Sequence, residues 1–237
     1  MRFFKNCLEM IKEVERDLFE MGITYQSQTV QDKDVSKNKY FKTIELAGYS
    51  YKILEPEKAK IKQMIDYIFK KEKNILDWIE QEFNERINPL LFNPGEAYKL
   101  YALWNEYLHD NKFSYTYNER IRDQLDNIIK ILEHNKNSRQ CVITIYDKHL
   151  DINNIGGIKR IPCSMYYQLL IRQNYLYLIY NMRSCDFLKH FALDVALAIK
   201  LQLYIKSKIK GINLGNFTHF IGSLHAFRGD MEKRNIF

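Results

Sequence analysis

With 237 residues, 46% of them hydrophobic and only nine Gly and four Pro, the chain has apolar side chains enough for one sizeable core. That excludes a disordered segment and points to a single domain spanning residues 1–237. The formal net charge of +7 suits a nucleic acid, a membrane surface or a small anion; however, the lysines are scattered, as at Lys58, Lys60 and Lys62, and no nucleic-acid motif accompanies them, so no direct nucleic-acid partner is expected. Lys189, Asp194 and Lys200 interrupt the best apolar run, so no membrane span is expected. Cys7, Cys141, Cys163 and Cys185 show no CxxC spacing and follow no signal peptide, which implies reduced thiols, a cytoplasmic location and no metal.

In chain order, Lys5 to Met21 has apolar residues at helical spacing and is predicted to be a helix that stops at Gly22. Gln26 to Lys39 reads as a polar loop, and Phe41 to Leu54 as a strand or a bent pair around Gly48. Glu57 to Phe83 reads as one long helix turning Ile61, Ile65, Ile68, Ile75 and Trp78 inward. Asn93-Pro94-Gly95 marks a turn, Glu96 to His109 a helix bearing Trp104, and Glu119 to His134 a further helix. From there the period changes. Gln140 to Tyr146, Ser164 to Ile171 and Tyr175 to Tyr180 read as strands, the last two as a hairpin over Arg172-Gln173-Asn174. Phe187 to Lys208 reads as a long amphipathic helix closed by Gly211, and Asn216 to Phe227 as a final strand. Helices with largely sequential strands give the α+β class.

Chemistry concentrates late in the chain. Cys163 follows a proline in Ile161-Pro162-Cys163, twenty residues ahead of Arg183-Ser184-Cys185-Asp186. A lone cysteine is commonly a small core residue, but the thiolate is the reactive form and a nearby guanidinium lowers its pKa. Arginine with a hydroxyl suits a dianion. Asp194 lies among Phe191, Leu193, Val195 and Ala196; on an exposed helix face it needs nothing, whereas half-buried it needs a partner.

These residues, with Asn181-Met182 ahead of Arg183 and with Gly222-Ser223-Leu224-His225, resemble the thymidylate synthase family over Ser138 to Phe227. They are most similar to its cytosine-directed branch, the phage deoxycytidylate (dCMP) hydroxymethylases. The resemblance implies a thymidylate synthase-like fold, a mixed β-sheet packed with helices, with a sheet face forming a homodimer interface. It implies that Cys163 adds to carbon 6 of a pyrimidine, so that carbon 5 attacks the methylene carbon of methylenetetrahydrofolate. Water then gives a hydroxymethyl product, or hydride from the folate a methyl one. Arg183 and Ser184 would hold the nucleotide phosphate, joined across the dimer by Arg139 of Ser138-Arg139. Asp194 would accept from the 4-amino group of cytosine, where typical thymidylate synthases carry asparagine. His225 would bond the sugar, Asp186 and Trp104 would face the folate, and Tyr117, with Tyr115 as rival, would be the active-site tyrosine. The expected ligand is therefore dCMP or CMP, and a phage origin would place the protein in the host cytoplasm, serving DNA modification.

The chain departs from the family at several places. Gln140 stands where a second phosphate arginine is usual, and Phe227 where a tyrosine is. Ile75 occupies the position of the catalytic glutamate, three residues before Trp78, with Glu72 and Asp77 as candidate substitutes. Ten residues follow Phe227, where relatives continue for a few dozen and close the folate site. Such departures also suit a relative that binds nucleotide without turning it over.

Overall fold

The computed structural model describes residues 1–30, 33–70, 74–154 and 160–235. Its first strand, β1 (Arg2–Phe4), leads to Asn6, whose side chain accepts from the N–H groups of Leu8 and Glu9, both at 3.1 Å. Two orphan donors are thereby satisfied where helical periodicity begins, and α1 (Cys7–Met21) follows. Next come β2 (Ile23–Gln26), the short pair β3 (Thr29–Val30) and β4 (Lys33–Asp34), and β5 (Lys42–Ile53), one continuous strand with Gly48 at φ +70° inside it.

The predicted helix from Glu57 to Phe83 is instead α2 (Ile61–Phe69) and α3 (Ile75–Arg86). Lys70 and Asn74 take left-handed φ values of +49° and +73° between them. Periodicity missed the break because both helices turn the same kind of face, Ile65, Ile68, Ile75 and Trp78, into one core. The predicted helix from Glu96 to His109 is likewise replaced by two 3-10 turns, Ala97–Leu100 and Ala102–Tyr107, whose rings pack on neighbours rather than at helical spacing.

A capping box fixes the start of α4 (Tyr117–His134): Thr116 Oγ1 accepts from Glu119 N–H at 3.2 Å, and Glu119 Oε2 accepts from Thr116 N–H at 2.6 Å. Then come β6 (Val142–Thr144), β7 (Ser164–Arg172) and β8 (Tyr175–Asp186). The β7–β8 turn uses Gln173 and Asn174 at φ +51° and +61°, as the primed turns of tight hairpins require. Strand β8 runs past the predicted end at Tyr180, carrying Arg183 and Ser184 out along the sheet.

A five-residue π-turn, Phe187–Phe191, precedes α5 (Ala192–Lys208); β9 (Asn213–Phe227) and α6 (Arg228–Lys233) complete the described elements. The order across the sheet is β1-β5-β9-β8-β7-β6, with β2 also on β5. β1–β5 and β8–β9 are parallel, the other pairings antiparallel, so the sheet is mixed and the fold α+β. Helix α5 is not the amphipathic element its sequence suggested. Ala192, Leu193, Val195, Ala196, Leu197 and Ile199 are buried around its whole circumference, because it lies between α2, α3 and the β8–β9 strands. Gln202 ties it down, donating through Nε2 to the Leu176 carbonyl at 2.8 Å and the Gly215 carbonyl at 3.1 Å.

Candidate functional site

Cys163 sits in the bend that enters β7 and is held there by main-chain pairing to β8. Its carbonyl accepts from Arg183 N–H at 2.8 Å, and immediately after it the β7–β8 register slips between Ser164 and Tyr166. Such a bulge re-aims the side chains beside it. Arg183 closes the same corner: Nε donates to the Pro162 carbonyl at 2.8 Å and Nη2 to the Ile161 carbonyl at 3.2 Å. Nη2 also lies 3.8 Å from Cys163 Sγ, and Ser184 Oγ donates to that sulfur at 3.6 Å. Two adjacent candidates, Arg183 and Ser184, thus meet a third, the Cys163 thiol twenty residues earlier. Gly222 lets β9 pass close behind them, since a Cβ there would sit 2.6 Å from the Arg183 carbonyl oxygen.

Asp194, in the first turn of α5, accepts from Cys185 Sγ at 3.7 Å. Burial pushes its carboxyl up to about 6, against the pull of Arg86 and, more weakly, Arg160. Burial also holds the Cys185 thiol well above its ordinary value. Arg86, from the last turn of α3, donates through Nε to Glu82 Oε1 at 2.7 Å and lays its guanidinium 3.8 Å over the Tyr117 ring. Burial raises the Glu82 carboxyl while Arg86 draws it back down.

The capping box places Tyr117 at the first position of α4, where its hydroxyl meets Ser164 Oγ at 2.8 Å. Ser164 Oγ bonds in turn to the Tyr180 hydroxyl. The Tyr180 ring is stacked between Tyr167 and His219, with centroids 4.4 and 4.7 Å away. Burial draws His219 down to about 3, so its imidazole is neutral, with Nδ1 2.9 Å from the Tyr51 hydroxyl. The rival Tyr115 is buried too, but its hydroxyl has no hydrogen-bond partner.

Trp104 belongs to a narrow aromatic cleft whose lining includes Trp78, Glu82, Arg86, Tyr115, Tyr117 and Arg160. Its indole stacks on that of Trp78 at 6.0 Å and 9°, and lies 5.6 Å from the His190 ring. Asp186 is buried and accepts through Oδ1 from Leu188 N–H at 3.0 Å and Lys189 N–H at 3.2 Å, capping the π-turn. His225 is its register partner on β9, with Nδ1 3.3 Å from Ser223 Oγ. Arg139 is not brought to this group. It is exposed, and its carbonyl accepts from Gln168, four residues along β7 from Ser164, or roughly 13 Å at strand spacing.

Of the two candidate substitutes for the missing glutamate, Asp77 is exposed and Glu72 lies outside the described residues. Ile75 is core. Two carboxylates line the cleft: Glu85, whose Oε1 accepts from the Glu96 and Ala97 N–H groups, and Glu82, which sequence reasoning passed over. Its i,i+4 spacing to Arg86 was the available signal, but the predicted helix ended at Phe83. Arg160 and Ser164, either side of Cys163, carried no signal of their own. Among the described residues no group of three or more His, Cys, Asp or Glu is placed to hold a metal ion, and no helix is long and apolar enough to cross a membrane.

A family model described as thymidylate synthase matches residues 71–236. Two proteins described as "Putative thymidylate synthase" are similar in sequence. That of Methanocaldococcus jannaschii is 32% identical over 178 residues, 63% of this chain and 79% of its own length. That of Methanosarcina barkeri is 24% identical over 226 residues, covering 91% and 94%. Among solved structures, the thermostable thymidylate synthase A from Bacillus subtilis has the same fold, with a TM-score of 0.72 at 15% identity, covering 96% of this chain and 82% of that one.

Proposed function

Since this chain belongs to the thymidylate synthase family, we propose that it transfers a one-carbon unit to carbon 5 of a cytidylate, dCMP or CMP, and forms the hydroxymethyl product. The observation that carries this reading is the convergence of Arg183 and Ser184 on Cys163 Sγ. One arginine and one hydroxyl can ligate a phosphate while standing beside the nucleophile that attacks the attached base.

Thymidylate synthases are C5 methyltransferases that use methylenetetrahydrofolate as carbon donor. The aromatic lining of the cleft suits such a flat donor in its chemistry. Trp104 offers a broad ring wall, the Nε1 atoms of Trp78 and Trp104 are buried without a hydrogen-bond partner, and the Asp186 carboxylate stands at the base of β8. When bound, the folate supplies an electrophilic one-carbon unit. The protein's part is to add Cys163 Sγ to carbon 6 and so place the electron pair at carbon 5 for bond formation. It must then take the carbon 5 proton, so that the electron pair releases the donor's nitrogen and leaves an exocyclic methylene on the base, and admit a water whose addition to that methylene restores the 5,6 double bond and expels the thiolate. Glu82, whose side chain is 20% exposed, is the carboxylate the cleft presents for that proton. Asp194 accepts from the exocyclic amine of cytosine, and His225 bonds the sugar. Arg139 reaches the phosphate of a second copy: the open sheet face carries Tyr166, Asn181 and Phe220 side by side in register, and these two exposed rings flanking an asparagine support a homodimer. The reaction takes place in the cytoplasm.

The test is tritium release from carbon-5-labelled dCMP, CMP and dUMP, with and without methylenetetrahydrofolate, in the wild type and in Cys163→Ala. Folate-dependent release from a cytidylate, reduced on the order of a thousandfold or more in the variant, is the expected result. Preference for dUMP would overturn the base assignment. Binding without release from any nucleotide would favour a second reading, a nucleotide-binding relative without turnover, for which the burial of Ile75 at the glutamate position speaks.

A further inference from the structure

Cys185 stands between residues with assigned roles and has none itself. Its neighbour Ser184 donates to Cys163 Sγ at 3.6 Å, while Cys185 donates through its own Sγ to Asp194 Oδ2 at 3.7 Å. Two consecutive residues at the end of β8 therefore touch the thiol on one side and the α5 carboxylate on the other. The backbone that carries them is fixed on β9, where Ser184 pairs with Ser223 and Cys185 with Leu224.

Cys185 is buried, and burial holds its thiol well above its ordinary value, so the sulfur keeps its proton and acts as a donor. From the elements packed around it, Asp194 also faces Glu82 and Arg86 of α3, Arg160 ahead of Cys163, Tyr115 and Tyr117 at the start of α4, and Tyr51, Tyr167 and Tyr180 of the sheet. Among the described residues, however, only the Cys185 thiol makes a hydrogen bond to the carboxylate. The terminal torsion of an aspartate is broad and roughly two-fold, so an unheld carboxylate turns freely. The thiol on Oδ2 fixes its plane and leaves Oδ1 as the acceptor for a ligand. Because a thiol is a weak donor, it directs the carboxylate without quenching it.

A pyrimidine joined to a nucleophile at carbon 6 and read at its 4-substituent needs a set spacing between those two protein groups. We infer that Cys185 is a positioning residue for base recognition: together with Ser184 it sets the spacing between the Cys163 thiol and Asp194, and it turns Oδ1 toward the base. The recognition of cytosine by Asp194 rests on the functional reading above; the hold of Cys185 on Asp194 does not.

The test uses the full-length protein with Cys185→Ala, which removes the donor, and Cys185→Ser, which supplies a stronger one in the same shape. Each is also made in the Asp194→Asn background. Donation favours the ionised carboxylate, so its loss moves the Asp194 titration upward. In denaturation midpoints across pH 4–8 without nucleotide, the range over which stability falls should end roughly half a pH unit or more higher in Cys185→Ala, and at or below the wild-type position in Cys185→Ser. In the Asp194→Asn background neither substitution should change the shape of the profile. The affinity ratio for dCMP over dUMP should fall about three- to tenfold in Cys185→Ala and recover in Cys185→Ser.

A range that ends at the same pH in Cys185→Ala as in the wild type overturns the inference and leaves Cys185 as a packing residue. The same shift in the Asp194→Asn background, or no recovery with serine, does so too. Should Cys185→Ala fail to fold, Cys185→Ser decides, since a range that ends higher than in the wild type contradicts the hold. A shift as expected in a wild-type protein that does not distinguish dCMP from dUMP keeps the hold on Asp194 and loses the cytidylate reading.

Discussion

Cys163, Arg183 and Ser184 stand on adjoining strand ends whose main chains hold one another, whereas Trp104, Tyr115 and Arg160 are brought together by ring contacts between short, separate segments. On the first wall each side chain inherits its direction from a ladder, and the Arg183 guanidinium bonds the carbonyls of the residues just before the thiol. On the second wall the elements are 3-10 turns, a helix start and the residue before Ile161, and their order depends on stacked rings and one buried ion pair. The difference teaches where precision resides. Covalent chemistry needs a nucleophile placed to fractions of an ångström, and the sheet provides it; a flat ligand needs only parallel surfaces, and packed rings provide those.

Breaking the ion pair of the second wall should have the largest effect. Arg86→Met takes the ion-pair partner from the part-buried Glu82 carboxylate, leaving it only the weaker pull of Arg160, and strips the cation from the Tyr117 ring, so a loss of about 3 kcal/mol is expected in chemical denaturation. The double variant Glu82→Gln/Arg86→Met should recover much of that loss. If the single variant is as stable as the wild type, the second wall does not depend on its charges.

Asp194→Asn tests the junction between the walls. The native pKa of Asp194, about 6, is raised above the ordinary carboxylate value of 3.8. The folded state therefore holds this proton more tightly than the unfolded chain does. Wild-type stability should fall as pH rises from about 4 to about 6, with the whole penalty present above that window. Asparagine removes this slope and should stabilise the protein at neutral pH by on the order of 1–3 kcal/mol. In the tritium assay the same variant should lose preference for cytidylate by roughly 10- to 100-fold. Melting points across pH 4–8 that run parallel for the two proteins would show that the carboxyl is not held up.

The smallest effect is expected at the hydroxyl chain that leans one wall on the other. Ser164→Ala removes the partner of both Tyr117 and Tyr180, and a cost of about 0.5–1.5 kcal/mol is expected in denaturation midpoints. Turnover should drop by a similar factor while nucleotide affinity stays unchanged. A fall in affinity instead would place Ser164 in the nucleotide corner rather than behind it.

The same contrast governs how much was legible in the sequence. Strand β8 declares itself by Leu176, Leu178, Tyr180 and Met182, buried at every second position, and the motif residues follow on that frame, so the corner around Cys163 was readable as a group. Helix α5 was located correctly but its exposure was misjudged, because Lys189, Asp194 and Lys200 suggested a polar face. Lys189, in the π-turn, and Lys200, on α5, in fact reach out to Asp230 and Glu80 from a segment that is otherwise largely buried. The cleft wall was not readable. Stacked rings such as Trp78 and Trp104 have no sequence period, and Arg86 and Arg160 matter for what they face across space.

Cys163, Arg183, Ser184 and Asp194 all lie within one hairpin and the helix that follows it, so the loops closed in assembling them are short. The corner around Cys163 should therefore behave as a local folding unit, its amides opening to hydrogen exchange together and later than those of the 3-10 turns at Ala97–Tyr107. A lineage carrying such a unit can rework the segments that line the cleft while Cys163 keeps its seat.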